Sequence, residues 1–349
     1  LRKEPAMKNG IAIAGTIAVD YIKMIDCYPE KGMLANIKSS SRGVGGCVTN
    51  TLCDIARIDP GIPLYAYGGI GDDENGDYVV AVLKEHKINT DGIVRFPGEM
   101  TAFTDVMTIK TSGERTFFTA KGANRIYSYN DLDFDSVTAD IFHIGYAFLM
   151  DPFDQEDADY GTVMARTLAR IQAKGIRTSM DLVSVDHERY SEIVRPSLKY
   201  CNYFIVNEIE ASKTAGLSPY APDGSVDIDK IRRICELILE AGVKDMVVIH
   251  APEGGWAMTG DGEFEFMPSL KLPQSLIKGS VGAGDAFCAG MLYGIYKELP
   301  VRESLELACM TAACSLSEGD SISGMKSLEE IKSLYGKYRI FEEKTIKEM

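Results

Sequence analysis

The chain has 349 residues, with 37 Lys and Arg against 51 Asp and Glu, a formal charge of −14; an acidic surface repels phosphate backbones, which excludes sequence-general nucleic-acid binding. Hydrophobic residues make up 45% and charged residues 25%, enough to build a large core and too apolar for a disordered chain. The longest apolar runs, such as Ile141–Ile144 with its embedded His143, fall far short of the ~20 residues of a membrane span.

Leu1–Ala6 stand before Met7, which reads as an initiator, so these six residues are taken as a remnant and set aside. Ile11–Gly15 reads as a strand, and Val48–Ile58 as a helix with Val48, Leu52 and Ile55 on one face. Between them, Asp20–Gly43 contains Pro29 and Gly32 and no helical stripe. Leu64–Gly68 is strand-like, and Asn75–His86 repeats apolar residues at Val79, Val82 and Leu83. Thr104–Lys110 and Arg115–Ala120 flank a turn at 111–114 and predict a β-hairpin. After strand Ile141–Ile144, the acidic stretch Asp151–Asp159 lacks Ca²⁺-loop spacing and reads as the solvated start of helix Tyr160–Ala173, which ends at Gly175.

Strands Thr178–Leu182 and Tyr203–Val206 follow, then helix Ile228–Ala241 stopping at Gly242, then strand Asp245–His250. A second hairpin turns at Asp261-Gly262, and two further helices are predicted at Ala286–Ile295 and Leu305–Ser317. This βαβα order predicts a mainly parallel sheet covered by helices on both faces. The irregular regions, about 20–43 and 98–124, read as a small β appendage inserted into a single domain spanning 1–349.

Eight cysteines are spread along the chain without CxxC spacing, which fits free thiols in a reducing cytosol. With no apolar signal core near the N-terminus, the expected location is cytoplasmic. The four histidines (86, 143, 187, 250) show no i, i+4 pair and read as ordinary surface or core residues.

The most informative segment is Lys278–Gly290, KGSVGAGDAFCAG. Glycines just before a helix let backbone N–H groups turn toward one point, and with the helix dipole they make an anion site. Asp285 at that same point would repel an anion, so its use is to take a proton from a nucleophile attacking phosphorus; the bland alternative is a tight turn with a capping Asp. GxxxxGK[ST] is absent, which excludes a P-loop NTPase. No GxGxxG links the first strand to its helix, which counts against a dinucleotide-binding dehydrogenase.

On these residues the chain resembles the ribokinase-like (PfkB) carbohydrate kinases over nearly its whole length. The C-terminal signature resembles Gly282-Ala283-Gly284-Asp285-Ala286-Phe287 followed by Gly290, and the N-terminal one resembles Gly45-Gly46-Cys47-Val48-Thr49-Asn50. Gly15 with Asp20 is similar to the first-strand pattern, and Asn207-Glu208-Ile209-Glu210 to the family's NxxE element. The resemblance implies a Rossmann-type α/β/α sandwich with a small β-sheet lid. It implies ATP and Mg²⁺, with Asp285 as general base and the backbone of Gly282, Ala283 and Gly284 stabilising the transferred phosphoryl. Asn207 and Glu210 are then expected to hold Mg²⁺ through water, while Asp20, Gly45, Gly46 and Asn50 bind the sugar. Gly255, Ala312, Ala313 and Gly319 are the expected adenine slot. The bland readings are a turn aspartate for Asp20 and a helix-start residue for Asn50.

Two departures from the family pattern stand out. Gly279 and Ser280 replace the usual Asp-Thr, whose carboxylate helps hold a monovalent cation, so K⁺ activation is expected to be weak. Cys47 stands where many ribokinases carry a Lys in the sugar pocket. The expected activity is transfer of the γ-phosphoryl of ATP to a hydroxymethyl group of a neutral monosaccharide or close derivative. A nucleoside kinase is the alternative within the family, with Phe103, Phe117 and Tyr146 as a wall for the base. A sugar-phosphate kinase would use a basic lid cluster of Lys110, Arg115, Lys121 and Arg125, and a sugar sensor without catalysis would not need Asp285. An exposed lid edge favours a homodimer.

Overall fold

The computed structural model describes residues 9–111 and 114–346; Leu1–Ala6 and the tip of the first hairpin at Ser112-Gly113 lie outside the described residues. Strand β1 (Ile11–Gly15) leads into the antiparallel pair β2 (Ala18–Ile25) and β3 (Ile37–Gly45), and β3 runs on into α1 (Cys47–Ile58). β4 (Leu64–Gly71), α2 (Glu74–Glu85) and β5 (Asn89–Phe96) come next, then β6 (Ala102–Ile109), β7 (Arg115–Ala120) and β8 (Ile141–Gly145). A two-residue pair, β9 (Glu156–Asp157) and β10 (Gly161–Thr162), precedes α3 (Val163–Ala173). The chain continues through β11 (Arg177–Met180), α4 (Tyr190–Leu198), β12 (Tyr203–Asn207), α5 (Glu208–Ala215) and α6 (Ile228–Glu240). It closes with β13 (Met246–Ala251), β14 (Gly254–Thr259), β15 (Phe264–Pro268), α7 (Ala283–Lys297), α8 (Val301–Ser315) and α9 (Leu328–Ile346).

The large sheet has nine strands in the order β15-β14-β13-β12-β11-β8-β1-β4-β5. From β5 across to β13 every neighbour is parallel, and β14 and β15 add antiparallel edges. Side chains alternate across each strand, so Ile11 and Ile13 enter the core under α1, α7 and α8 while Ala12 and Ala14 enter the core under α3, α4 and α6. A strand covered on both faces can be apolar throughout, which is why β1 reads as an unbroken hydrophobic run. Helix α6 shows the complementary logic: Ile231, Ile234, Cys235 and Ile238 form its buried stripe, and Asp227 caps its first turn by accepting from the N–H groups of Asp229 and Lys230. The result is an α/β/α sandwich with a second sheet in the order β3-β2-β6-β7.

One expected element changes character. Tyr160–Thr162 do not begin α3; Asp157 accepts hydrogen bonds from the N–H groups of Asp159 and Tyr160, and this local turn competes with the helix. Thr162 caps α3 instead, accepting from the Ala165 N–H at 3.2 Å, and the acidic stretch forms turns in which Asp151 pairs with Lys121. The eight cysteines are free, and all but Cys27 are buried. Among the described residues no helix is long and apolar enough to cross a membrane.

Candidate active site

Ligand crevices in open parallel sheets lie beyond the carboxyl ends of the strands, where the strand order reverses. Here the reversal falls between β1 and β8, and a cleft of about 590 Å³ opens above β8, β11 and β12. Asn50, Tyr146, Asp181, Glu210, Ser280 and Asp285 line it, and Thr104, Phe117 and Thr119 of the small sheet reach over it. Among the described residues its wall contains three carboxylates and no Lys or Arg.

Helix α7 starts three residues earlier than expected, so Asp285 lies inside its first turn. Gly282 caps the helix at φ 78°, and a Cβ there would stand 2.7 Å from Ser321, so both the turn and the close approach demand glycine. The N–H groups of Gly284 and Asp285 have no partner in the helix ladder, while that of Ala283 donates to the Ser280 carbonyl at 3.4 Å. Asp285 is buried; one carboxylate oxygen accepts from Asn50 Nδ2 at 2.8 Å and the other from the Tyr146 hydroxyl. Burial holds its carboxyl above the usual range, and the two donors pull it only part of the way back.

Asn50 therefore bonds the carboxylate of Asp285 rather than its own backbone, and its Oδ1 accepts from Ser321 Oγ at 2.9 Å. Both ends of the amide are thus engaged, and Asn50 lines the cleft as well. Tyr146, expected as an aromatic wall, fixes the other side of the same carboxylate. Phe103 packs edge-on against Tyr21, which leaves Phe117 as the one member of that expected aromatic wall standing free in the cleft.

Asp20 stands on β2 beside Gly45, the last residue of β3. A Cβ on Gly45 would lie 2.6 Å from the Asp20 carboxylate, so glycine makes room for it. Burial, and then the charge of Asp285, push the Asp20 carboxyl up to about 7. Cys47, one residue past Gly46, does not reach the cleft; its buried thiol donates to the Gly145 carbonyl.

Asn207 caps α5, its Oδ1 accepting from the N–H groups of Ile209 and Glu210 at 3.0 and 2.9 Å. Glu210 answers by accepting from the Asn207 N–H at 3.0 Å, from Asn207 Nδ2 at 2.9 Å and from Ser184 Oγ at 2.9 Å. The Asn207 oxygen is thus spent on the helix. Asp181, which the expected strand through Leu182 concealed, sits just past the end of β11. Burial, then Glu210 and Asp285, raise its carboxyl, and one of its oxygens accepts from the Leu182 N–H at 2.6 Å. Two neighbouring carboxyls lining one cleft fit a hard divalent cation that keeps its waters, so Asp181 and Glu210 would hold such an ion.

A second cavity, of about 470 Å³, adjoins the first and shares Asn207, His250, Ser280 and Gly284 with it. Ala312, Ala313, Leu316, Ile277 and Phe287 give it apolar walls. Two expected wall residues lie elsewhere: Gly255 is packed so that a Cβ would meet the Phe287 ring at 2.7 Å, and Gly319 lines neither cavity and has no neighbour within 4 Å of an added Cβ. The two cavities meet at the start of α7.

Comparison with known proteins agrees with this architecture. The family model described as pfkB family carbohydrate kinase matches residues 11–328. A probable chloroplastic fructokinase of Arabidopsis thaliana is 27% identical over 328 residues, covering 88% of this chain and 79% of the relative. A nucleoside kinase of Methanocaldococcus jannaschii is 22% identical, covering 95% of this chain and 98% of the relative. Among solved structures, Arabidopsis thaliana ribokinase, complexed with ribose and ATP, superposes with a TM-score of 0.77 at 18% identity, covering 94% of this chain and 99% of that one. The chain belongs to the pfkB family of carbohydrate kinases, phosphotransferases that act on an alcohol group.

Proposed function

We propose that the protein transfers the γ-phosphoryl group of ATP to a hydroxymethyl group of a neutral monosaccharide or close derivative, with Asp285 as the general base. The observation that carries this reading is the Asp285 carboxylate, held by Asn50 and Tyr146 in the glycine-led first turn of α7. The acceptor occupies the cleft under Phe117 and Thr119, with Asp20 and Gly45, both buried where β2 meets β3, as the partners of its hydroxyls. The absence of Lys and Arg from the cleft wall favours a neutral acceptor over a phosphorylated one. The adenine lies in the apolar second cavity, which aims its phosphates at the junction of the two.

In this reading Asp285 takes the proton from the acceptor hydroxyl as that oxygen attacks, and the amides of Gly282, Ala283 and Gly284 stabilise the charge that builds on the phosphoryl oxygens. The small sheet acts as a lid that excludes water. Mg²⁺, held through Asp181 and Glu210, neutralises phosphate charge when bound. An ADP-release screen across neutral pentoses and hexoses, sugar acids, sugar phosphates and nucleosides tests the proposal; turnover only with phosphorylated sugars would refute the neutral-acceptor assignment.

Glu210→Gln keeps the hydrogen-bonded cap of α5 and removes one charge. The Mg²⁺ concentration for half-maximal rate is expected to rise about tenfold, with acceptor affinity unchanged; an identical Mg²⁺ titration would remove Glu210 from the metal site. Gly279 offers no carboxylate for a monovalent cation, so replacing Na⁺ by K⁺ at constant ionic strength is expected to change the rate by less than about tenfold, or ~1.4 kcal/mol.

A further inference from the structure

We propose that Arg115 of the small sheet is a phosphate-binding residue that reaches across to the nucleotide, an inference that rests on the kinase reading above. Successive side chains of a strand point to opposite faces. Phe117 and Thr119 of β7 line the cleft, so Arg115, two residues before Phe117, lies on the same face. Its guanidinium spans from the small sheet to the loop before α7: Nη2 lies 2.6 Å from where a Cβ on Gly279 would stand, and that same point is 2.9 Å from the Glu318 carbonyl oxygen. The absence of a side chain at residue 279 is what gives the guanidinium its room.

This cation is poorly satisfied as it stands. Nη1 is shielded from solvent and has no hydrogen-bond partner among the described residues. Burial alone pulls the pKa of Arg115 down, with no acidic neighbour opposing it. Glu318, whose carbonyl approaches the same point, pairs its carboxylate with Lys278 at 2.9 Å. Two other basic residues of the region are engaged: Lys121 with Asp151, and Arg125 with Glu99. A desolvated N–H with no acceptor is costly, and an anion relieves that cost.

The chemistry of the surroundings identifies the anion. The cleft wall carries Asp181, Glu210 and Asp285 and no fixed cation, so a triphosphate delivered to the start of α7 meets net negative charge. Arg115 supplies the missing positive charge from above, and its planar fork suits phosphate oxygens. Because it stands over residue 279 rather than in the acceptor wall, its partner is the nucleotide and not an anionic group on the acceptor.

Calorimetric titration of ATP and of adenosine into the wild type, Arg115→Gln and Arg115→Lys tests this. Arg115→Gln is expected to weaken ATP about 10–100-fold, the usual worth of a hydrogen bond to a charged group, and to leave adenosine unchanged. Arg115→Lys, which keeps the charge and loses the fork, falls between. Equal ATP affinity in wild type and Arg115→Gln overturns the proposal, and so does an equal loss for ATP and adenosine, which would mean a disturbed adenine cavity. A wild type that binds ATP and phosphorylates no acceptor refutes the kinase reading while leaving the ATP comparison intact. A wild type that binds no ATP refutes both.

Discussion

Asp285→Asn is expected to lower phosphoryl transfer about 10²–10⁴-fold, the usual contribution of a general base. The substitution preserves shape, and the Tyr146 hydroxyl can turn to accept from the new amide, so the variant should fold. Its melting temperature should hold or rise, because the wild-type carboxyl is buried above its normal range and loses nothing by becoming neutral. ATP affinity should hold or tighten slightly, since a negative charge beside the phosphates has gone. If Asp285 were only a residue in the first turn of a helix, Asn would serve nearly as well and turnover would be near normal. Turnover, ATP affinity and melting temperature on one purified variant separate the two. In the wild type, the rate should also rise with pH through a value above the usual carboxylate range, and this limb should vanish in Asp285→Asn.

Asp20→Asn is expected to raise the acceptor KM about 10–100-fold with kcat much less affected, since hydrogen bonds to a charged group contribute about 1.5–3 kcal/mol. The Asp20 carboxyl rises from 3.8 to about 7, so the folded protein binds this proton more tightly than the unfolded chain does. Its contribution to stability is present at low pH and is lost as pH rises from the ordinary carboxylate value through about 7. Acceptor affinity runs the other way, improving as the carboxylate forms. In Asp20→Asn, ligand-free melting should depend less on pH across this range, though Asp181 and Asp285 preserve part of the slope with the same sign. A melting profile unchanged by Asp20→Asn would show that the group is not strained in the fold.

Much of this site could be read from local sequence. The glycines and Asp285 sit within one turn of chain, and their chemistry depends on little beyond the helix they begin. Strand β1 appeared with its observed bounds because a doubly covered parallel strand is apolar at every position. The partners of Asp285 could not be read this way. Asn50 lies 235 residues away and Tyr146 lies 139 away, joined to it only by the order in which strands stack. Asp181 was hidden because the expected strand Thr178–Leu182 runs one residue past it, whereas β11 ends at Met180 and leaves Asp181 lining the cleft. Gly255 shows the sharper limit: on a strand, an error of one residue exchanges faces, and it is the neighbouring Gly254 that lines the second cavity.

Strand β3 of the small sheet and helix α1 of the large layer are one continuous piece of chain, separated by Gly46 alone. The segment proposed to border the acceptor therefore also carries Asn50, which bonds Asp285, the proposed base. An engineer exchanging the small sheet for that of a relative, to change the acceptor, cannot cut at this apparent boundary without unsettling the base. The splice points belong further out, N-terminal to Gly43 on β3 and around residues 98 and 124 on the other arm. A graft that respects them changes what is recognised and leaves the reaction machinery in register.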